Sequence, residues 1–123
     1  MSHIRFGRMQ HRIMEILWGR RKASAREITE ALNQDQPVAH STVQTLLRKL
    51  EKKGAIDHTA QDRTFVFFPV VEQHKARRSA TQEFLDRVFG GSAAGLVAHL
   101  LEHEKIPRKE LEQIKKLIGE KEP

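Results

Sequence analysis

The sequence predicts a mainly α-helical fold carrying one small β-hairpin. Apolar residues recur at helical spacing in six stretches, the period becomes strand-like between Ile56 and Phe68, and Gly, Pro or a capping pair marks the joins. With 123 residues, 38% of them hydrophobic, the chain suits one domain or two very small ones with a modest core.

In the first helix Met9, Ile13, Met14, Ile16 and Leu17 follow the helical period and Gly19 is the expected stop. Trp18 beside that stop reads as a packing residue. Ser24 with Glu27 forms a capping box, which opens a short second helix whose Ile28, Ala31 and Leu32 face inward before Asn33. The stretch from Asn33 to His40 is a polar connection containing Pro37.

The third helix is expected over Ser41 to Gly54. Ser41 and Gln44 match a second capping box, and Gly54 supplies a left-handed stop. Val43, Leu46, Leu47 and Leu50 share one narrow apolar face. Opposite them lie Ser41, Gln44, Thr45, Arg48, Lys49 and Lys52, short polar groups first and cations last. A helix entering a major groove by its N-terminus needs that order, with polar side chains near base edges and cations beside phosphates. A solvated amphipathic helix would also accept cations in its last turns, where they complement the helix dipole.

Two short strands then follow, Ile56 to Thr59 and Thr64 to Phe68, joined by a turn over Ala60 to Arg63. Three helices followed by a hairpin is the winged form of the helix-turn-helix, in which Arg63 at the wing tip is placed for a phosphate or remains a solvated turn charge.

After Pro69, three more helices are expected. The first runs from Glu72 to Phe89, with Phe84, Leu85, Val88 and Phe89 on its apolar side and Gly90 and Gly91 ending it. The second is capped by Ser92 and carries Leu96, Val97, Leu100 and Leu101 to about Glu104. The third has Pro107 in its first turn, then Leu111, Ile114, Leu117 and Ile118, with Arg108 and Lys109 poorly matched to its dipole. These stripes are too short to enclose a core of their own, so a second copy burying Phe84, Leu85, Val88, Phe89, Leu96, Leu100, Leu101, Leu111 and Ile114 is the expected solution, with folding back onto the N-terminal domain the alternative. The division is therefore a winged-helix DNA-binding domain over 1–71 and a helical dimerisation domain over 72–123.

Lys and Arg outnumber Asp and Glu by 22 to 16, a net charge of +6, and nearly all the excess precedes residue 76. A polyanionic partner is implied for the N-terminal part. Cysteine is absent, which excludes disulfides, thiolate metal sites and cysteine nucleophiles. No apolar run reaches membrane-spanning length, and Arg5, Arg8, Arg12 and Glu15 interrupt any signal core, so a cytoplasmic location without membrane insertion is expected.

His99, Glu102 and His103 match the H-x-x-E-H pattern of inverted zinc proteases. A hydrolase also needs a third ligand over a cleft and an open coordination position, which the sequence does not supply, so these residues read as a polar face opposite Leu96, Val97, Leu100 and Leu101. Paired His at this spacing can also bind a metal without catalysis. No catalytic residues, cofactor or committed metal site is assigned.

The whole layout resembles the BlaI/MecI-type penicillinase repressors and their copper-responsive CopY relatives. The resemblance is carried by I-M-E-I-L-W at Ile13 to Trp18, by S-T-V-Q-T-L-L-R-K-L-E-K-K-G-A-I at Ser41 to Ile56, and above all by F-G-G-S-A-A-G-L-V-A-H-L-L-E at Phe89 to Glu102. It implies a homodimeric winged-helix repressor on a palindromic operator, with Thr42, Gln44 and Thr45 facing the groove. Some members have Arg where this chain has Gln44, a change from guanine toward adenine preference. In the β-lactam-responsive members a membrane sensor protease triggers cleavage at an Asn-Phe bond, and the matching pair here is His99 and Leu100. The cysteine pattern of the copper branch has no counterpart.

The expected function is thus a non-enzymatic transcriptional repressor of β-lactam resistance or related genes. Its double-stranded DNA contacts would come from Ser41, Thr42, Gln44, Thr45, Arg48, Lys49, Lys52 and Arg63. A winged-helix module for protein assembly is the alternative, and a metal-dependent hydrolase the third.

Overall fold

The computed structural model describes residues 4–122, so the outermost residues of both expected domains, 1–3 and 123, lie outside the described residues. In chain order the elements are α1 (Arg8–Arg20), β1 (Ala23–Ser24), α2 (Ala25–Asn33), α3 (His40–Lys52), β2 (Ile56–Gln61), β3 (Thr64–Pro69), α4 (Gln73–Phe89), α5 (Ala93–His103) and α6 (Arg108–Lys121). This is the expected winged helix followed by helices. Contacts gather the chain into two units, one ending at Thr81 and the other beginning at Gln82, so their division falls within α4.

In the first unit α1, α2 and α3 turn their apolar stripes toward one another. Ile13, Met14, Leu17, Ile28, Leu32, Val43, Leu47 and Leu50 are buried, and Ala55, Ile56 and Phe67 close the core from the sheet side. Trp18 packs at the edge as expected. Its indole N–H donates to the Val71 carbonyl (2.8 Å), and its ring meets Phe6 and His11 edge-on.

The first helix does not stop at Gly19. It continues to Arg20, and Arg21 takes a positive φ (74°), its N–H donating to the Leu17 carbonyl. A glycine inside a helix costs only about 1 kcal/mol, and the reversal at Arg21 delivers Ala23 and Ser24 to pair with Phe67 and Val66 of β3. That two-residue strand was not anticipated, since two residues carry no period. It makes the sheet three-stranded, in the order β1-β3-β2.

The capping box at Ser24 forms as read. The Ser24 hydroxyl accepts from the Glu27 N–H (3.2 Å), and the Glu27 carboxylate accepts from the Ser24 N–H (2.9 Å). These bonds, the backbone one first, hold the Glu27 carboxyl below its usual range.

The second expected box, at Ser41, does not form. Helix α3 begins at His40 with Ala39 as its cap, and no side chain caps it. His40 is drawn into the helix by Thr29, whose hydroxyl donates to the Ala25 carbonyl and meets His40 Nδ1 at 2.9 Å. The preceding loop is held by Asn33, whose amide bonds both the N–H and the carbonyl of Val38. Ser41 therefore lies inside the first turn. The far end is as expected, with Gly54 at φ 81°, a backbone state costly for any side chain.

The hairpin is longer and its turn tighter than the sequence reading. The strands extend to Gln61 and from Thr64, leaving Asp62 and Arg63 as a two-residue turn, both at positive φ. This is the geometry whose twist matches paired strands.

In the second unit, the chain leaving α4 is closed by the Gly91 N–H donating to the Leu85 carbonyl. Ser92 caps α5, its hydroxyl accepting from the Gly95 N–H at 2.9 Å. Pro107 is the cap of α6, one residue ahead of the helix and not in its first turn. Phe89 packs edge-on against Phe84 and against His99. None of the described residues of α4, α5 or α6 is buried, and among the described residues no helix is long and apolar enough to cross a membrane.

Candidate nucleic-acid interface

The outer face of α3 is built by what its inner face buries. Val43, Leu47 and Leu50 are fully enclosed and Leu46 is half-buried, so the helix cannot rotate without breaking the core. At roughly 100° per residue this leaves Ser41, Thr42, Gln44, Thr45, Arg48, Lys49 and Lys52 outward, and all seven are exposed.

Two of them are already engaged locally. The Thr45 hydroxyl donates to the Ser41 carbonyl (3.1 Å), and Arg48 donates from its guanidinium to the Thr45 oxygen (3.3 Å). Arg48 is thereby folded back along its own helix, and its guanidinium carries further N–H donors beyond that bond. Lys53, which follows the helix, faces another way. Its ammonium bonds the Arg5 carbonyl and the side chain of Gln10 (2.7 Å), tying the end of α3 to the start of α1.

Between α3, the start of α2 and the wing lies a cleft of about 700 Å³. Gln44 and Arg48 line it from α3, Arg63 from the wing tip and Arg26 from α2. Among the residues assigned from sequence, the cleft brings Gln44, Arg48 and Arg63 together. Ser41, Thr42, Thr45, Lys49 and Lys52 lie on the exposed helix face outside it.

Arg26, His40 and Phe65 were not picked out. For Arg26 a signal existed, since a cation in the first turn of a helix is disfavoured by the dipole and invites a search for its partner. Phe65 is 52% exposed on the wing, with its ring stacked on His58. Its placement followed from strand register, which the sequence did not reveal.

The H-x-x-E-H residues make no enclosed site. His99, Glu102 and His103 are exposed on α5, with the two imidazole rings 4.7 Å apart and His103 Nε2 3.7 Å from the Glu102 carboxylate. Among the described residues, the three-donor group compact enough for a metal ion is Glu51, Asp57 and His58, which the sequence reading did not single out.

The residues expected at a dimer contact lie on the helices of the second unit and the end of α4. Phe84, Val88, Leu100 and Leu101 are exposed, and Leu85, Phe89, Leu96, Leu111 and Ile114 are half-buried. Val97, Leu117 and Ile118 add to the exposed apolar surface.

Comparison with known proteins places this arrangement. A family model described as penicillinase repressor matches residues 6–120. The methicillin resistance regulatory protein MecI of Mammaliicoccus sciuri is 28% identical over 109 residues, which are 89% of this chain and 89% of that protein. The solution structure of the DNA-binding domain of the repressor BlaI superposes with a TM-score of 0.54 at 25% identity, covering 58% of this chain and 88% of that one. Bacillus licheniformis BlaI, solved as a monomeric form in complex with the blaP half-operator, gives a TM-score of 0.51 at 25% identity with the same coverage. Matched across both of its units and sharing the BlaI winged helix, the chain belongs to the penicillinase repressor family.

Proposed function

We propose that this protein is a homodimeric transcriptional repressor that occupies a palindromic operator by inserting α3 into the major groove. One observation carries the reading. Seven polar and cationic side chains stand exposed on a helix whose opposite face is locked into the core. Thr42, Gln44 and Thr45 read bases, Arg48 divides between base and phosphate, and Ser41, Lys49, Lys52 and Arg63 hold the backbone. Arg26, across the cleft, adds a phosphate contact from the helix that crosses the strand.

In this reading residues 1–71 bind DNA and residues 72–123 bring two copies together. The bare apolar faces of α4, α5 and α6 support a second copy as partner, because a two-fold contact hides the same surface twice. BlaI has been seen as a monomer on a half-operator, and two copies of this chain would fill two such half-sites, about 34–36 Å or a multiple of it apart. Relief of repression by a sensor protease would act within α5, where His99 and Leu100 stand at the family's cleavage position. Cleavage there would remove α6 and the end of α5 from the dimer contact.

The test is footprinting on DNA upstream of the protein's own gene, followed by titration of the protected duplex. Gln44→Ala should relax base preference while leaving affinity for random duplexes nearly unchanged. Lys52→Ala should weaken all duplexes alike and reduce the salt slope by about one ion. Equal weakening of cognate and random duplexes by Gln44→Ala would remove that residue from base reading.

A further inference from the structure

We propose that Glu51, Asp57 and His58 form a binding site for a divalent transition-metal ion that clamps the wing onto α3. Their ligand atoms, one imidazole nitrogen and two carboxylate oxygens, lie within 4.8 Å of one another. That donor set suits Zn²⁺ or a neighbouring first-row dication better than Ca²⁺ or Mg²⁺, which prefer oxygen alone.

The fold aims each donor. His58 lies on β2, with its ring stacked on Phe65 at 4.3 Å and 29° and set against Phe67 at 5.5 Å. The two aromatic rings fix the imidazole so that Nδ1 points at the Glu51 carboxylate, with which it is in contact. Glu51 comes from the last turn of α3. Asp57, adjacent to His58 on a strand, would ordinarily point to the opposite face of the sheet. Because β2 is an edge strand, its carboxylate curls around the open side and accepts from the His58 N–H at 2.8 Å.

Donors about 2 Å from a tetrahedral metal stand roughly 3.4 Å apart, so only modest closure is required, and exposed Asp57 can supply it. His58 and Glu51 retain 30% and 34% exposure, which gives a metal entry from solvent and leaves room for water as a further ligand.

This coupling rests on the DNA-binding reading above, since Glu51 and His58 line the same cleft as Gln44, Arg48 and Arg63. Without metal, a carboxylate there repels phosphate. A dication cancels the charge of Glu51 and Asp57 and fixes the wing relative to the reading helix, so metal should strengthen DNA binding.

The metal is tested first without DNA. Metal-free full-length protein is titrated with Zn²⁺ by calorimetry, where one saturable site per chain is expected. Asp57→Asn, which alters only an exposed side chain, and His58→Phe, which keeps a ring against Phe65 and Phe67, should each weaken binding at least about tenfold. The double change His99→Ala and His103→Ala should leave the site intact. Thermal melts of each variant confirm folding. No saturable Zn²⁺ binding, or binding that survives Asp57→Asn and His58→Phe, would overturn the site. Loss of binding on changing His99 and His103 would do so as well, by placing the metal on α5. Duplex titrations with and without Zn²⁺ then test the coupling: several-fold tighter binding is expected in wild type and absent in Asp57→Asn. Equal affinity with and without the metal would reject the coupling while leaving the calorimetric site standing.

Discussion

Single side chains decide where the elements begin and which groups remain free. Ser24 and Ser41 present the same sequence pattern, yet of the two only Ser24 caps a helix, because His40, bonded to Thr29, is already inside α3 and the cap falls two residues earlier, at Ala39. A local motif was therefore legible at one site and overridden by a tertiary hydrogen bond at the other. Ser24→Ala should cost about 1 kcal/mol of stability, measured by denaturant unfolding. It should also raise the Glu27 pKa toward the ordinary carboxylate value, read by NMR titration, because part of the downward shift comes from the Ser24 hydroxyl. The depressed pKa means that the contribution of Glu27 is complete at neutral pH and is lost as pH falls through that lowered value. At the wing tip, Arg63 sits at φ 69°, a strained state for a residue with a Cβ. Arg63→Gly should therefore raise stability by up to about 1 kcal/mol while weakening duplex binding. Loss of stability would show that Arg63 is held by more than its turn.

Among elements, α3 was readable because its apolar and polar faces separate cleanly, and the buried face in the structure is the one the spacing implies. Leu47 lies at the centre of that face with 1% exposure, so Leu47→Ala should cost about 2–5 kcal/mol in denaturant unfolding and loosen the helix proposed to read DNA. The hairpin was legible from its β-branched and aromatic run, but β1 was hidden, being two residues that gain strand character only by lying beside Phe67 and Val66. The cleft was hidden for the same reason. Arg26 from α2 and Phe65 from the wing line one cleft with Gln44 and Arg48, and no single stretch of sequence contains that cleft. The Glu51, Asp57 and His58 group likewise joins the end of a helix to an edge strand whose Asp57 carboxylate folds back onto the His58 N–H.

At the scale of the whole molecule, the basic N-terminal unit and the exposed apolar helices suit two separate tasks, contact with a polyanion and contact with a second copy. Leu101→Glu, placed at a position with 53% exposure, should leave the winged helix folded, convert the protein to a monomer in sedimentation equilibrium and weaken binding to a full operator far more than to a half-site. An unchanged sedimentation profile would move the dimer contact away from α5. The claim that the exposed face of α3 recognises a specific duplex is tested most directly by fluorescence anisotropy of the footprinted operator and a scrambled duplex at two salt concentrations. Salt-sensitive binding of both is expected, with the operator bound on the order of a thousandfold more tightly than the scrambled duplex. Equal affinity for the two duplexes at both salts would contradict it.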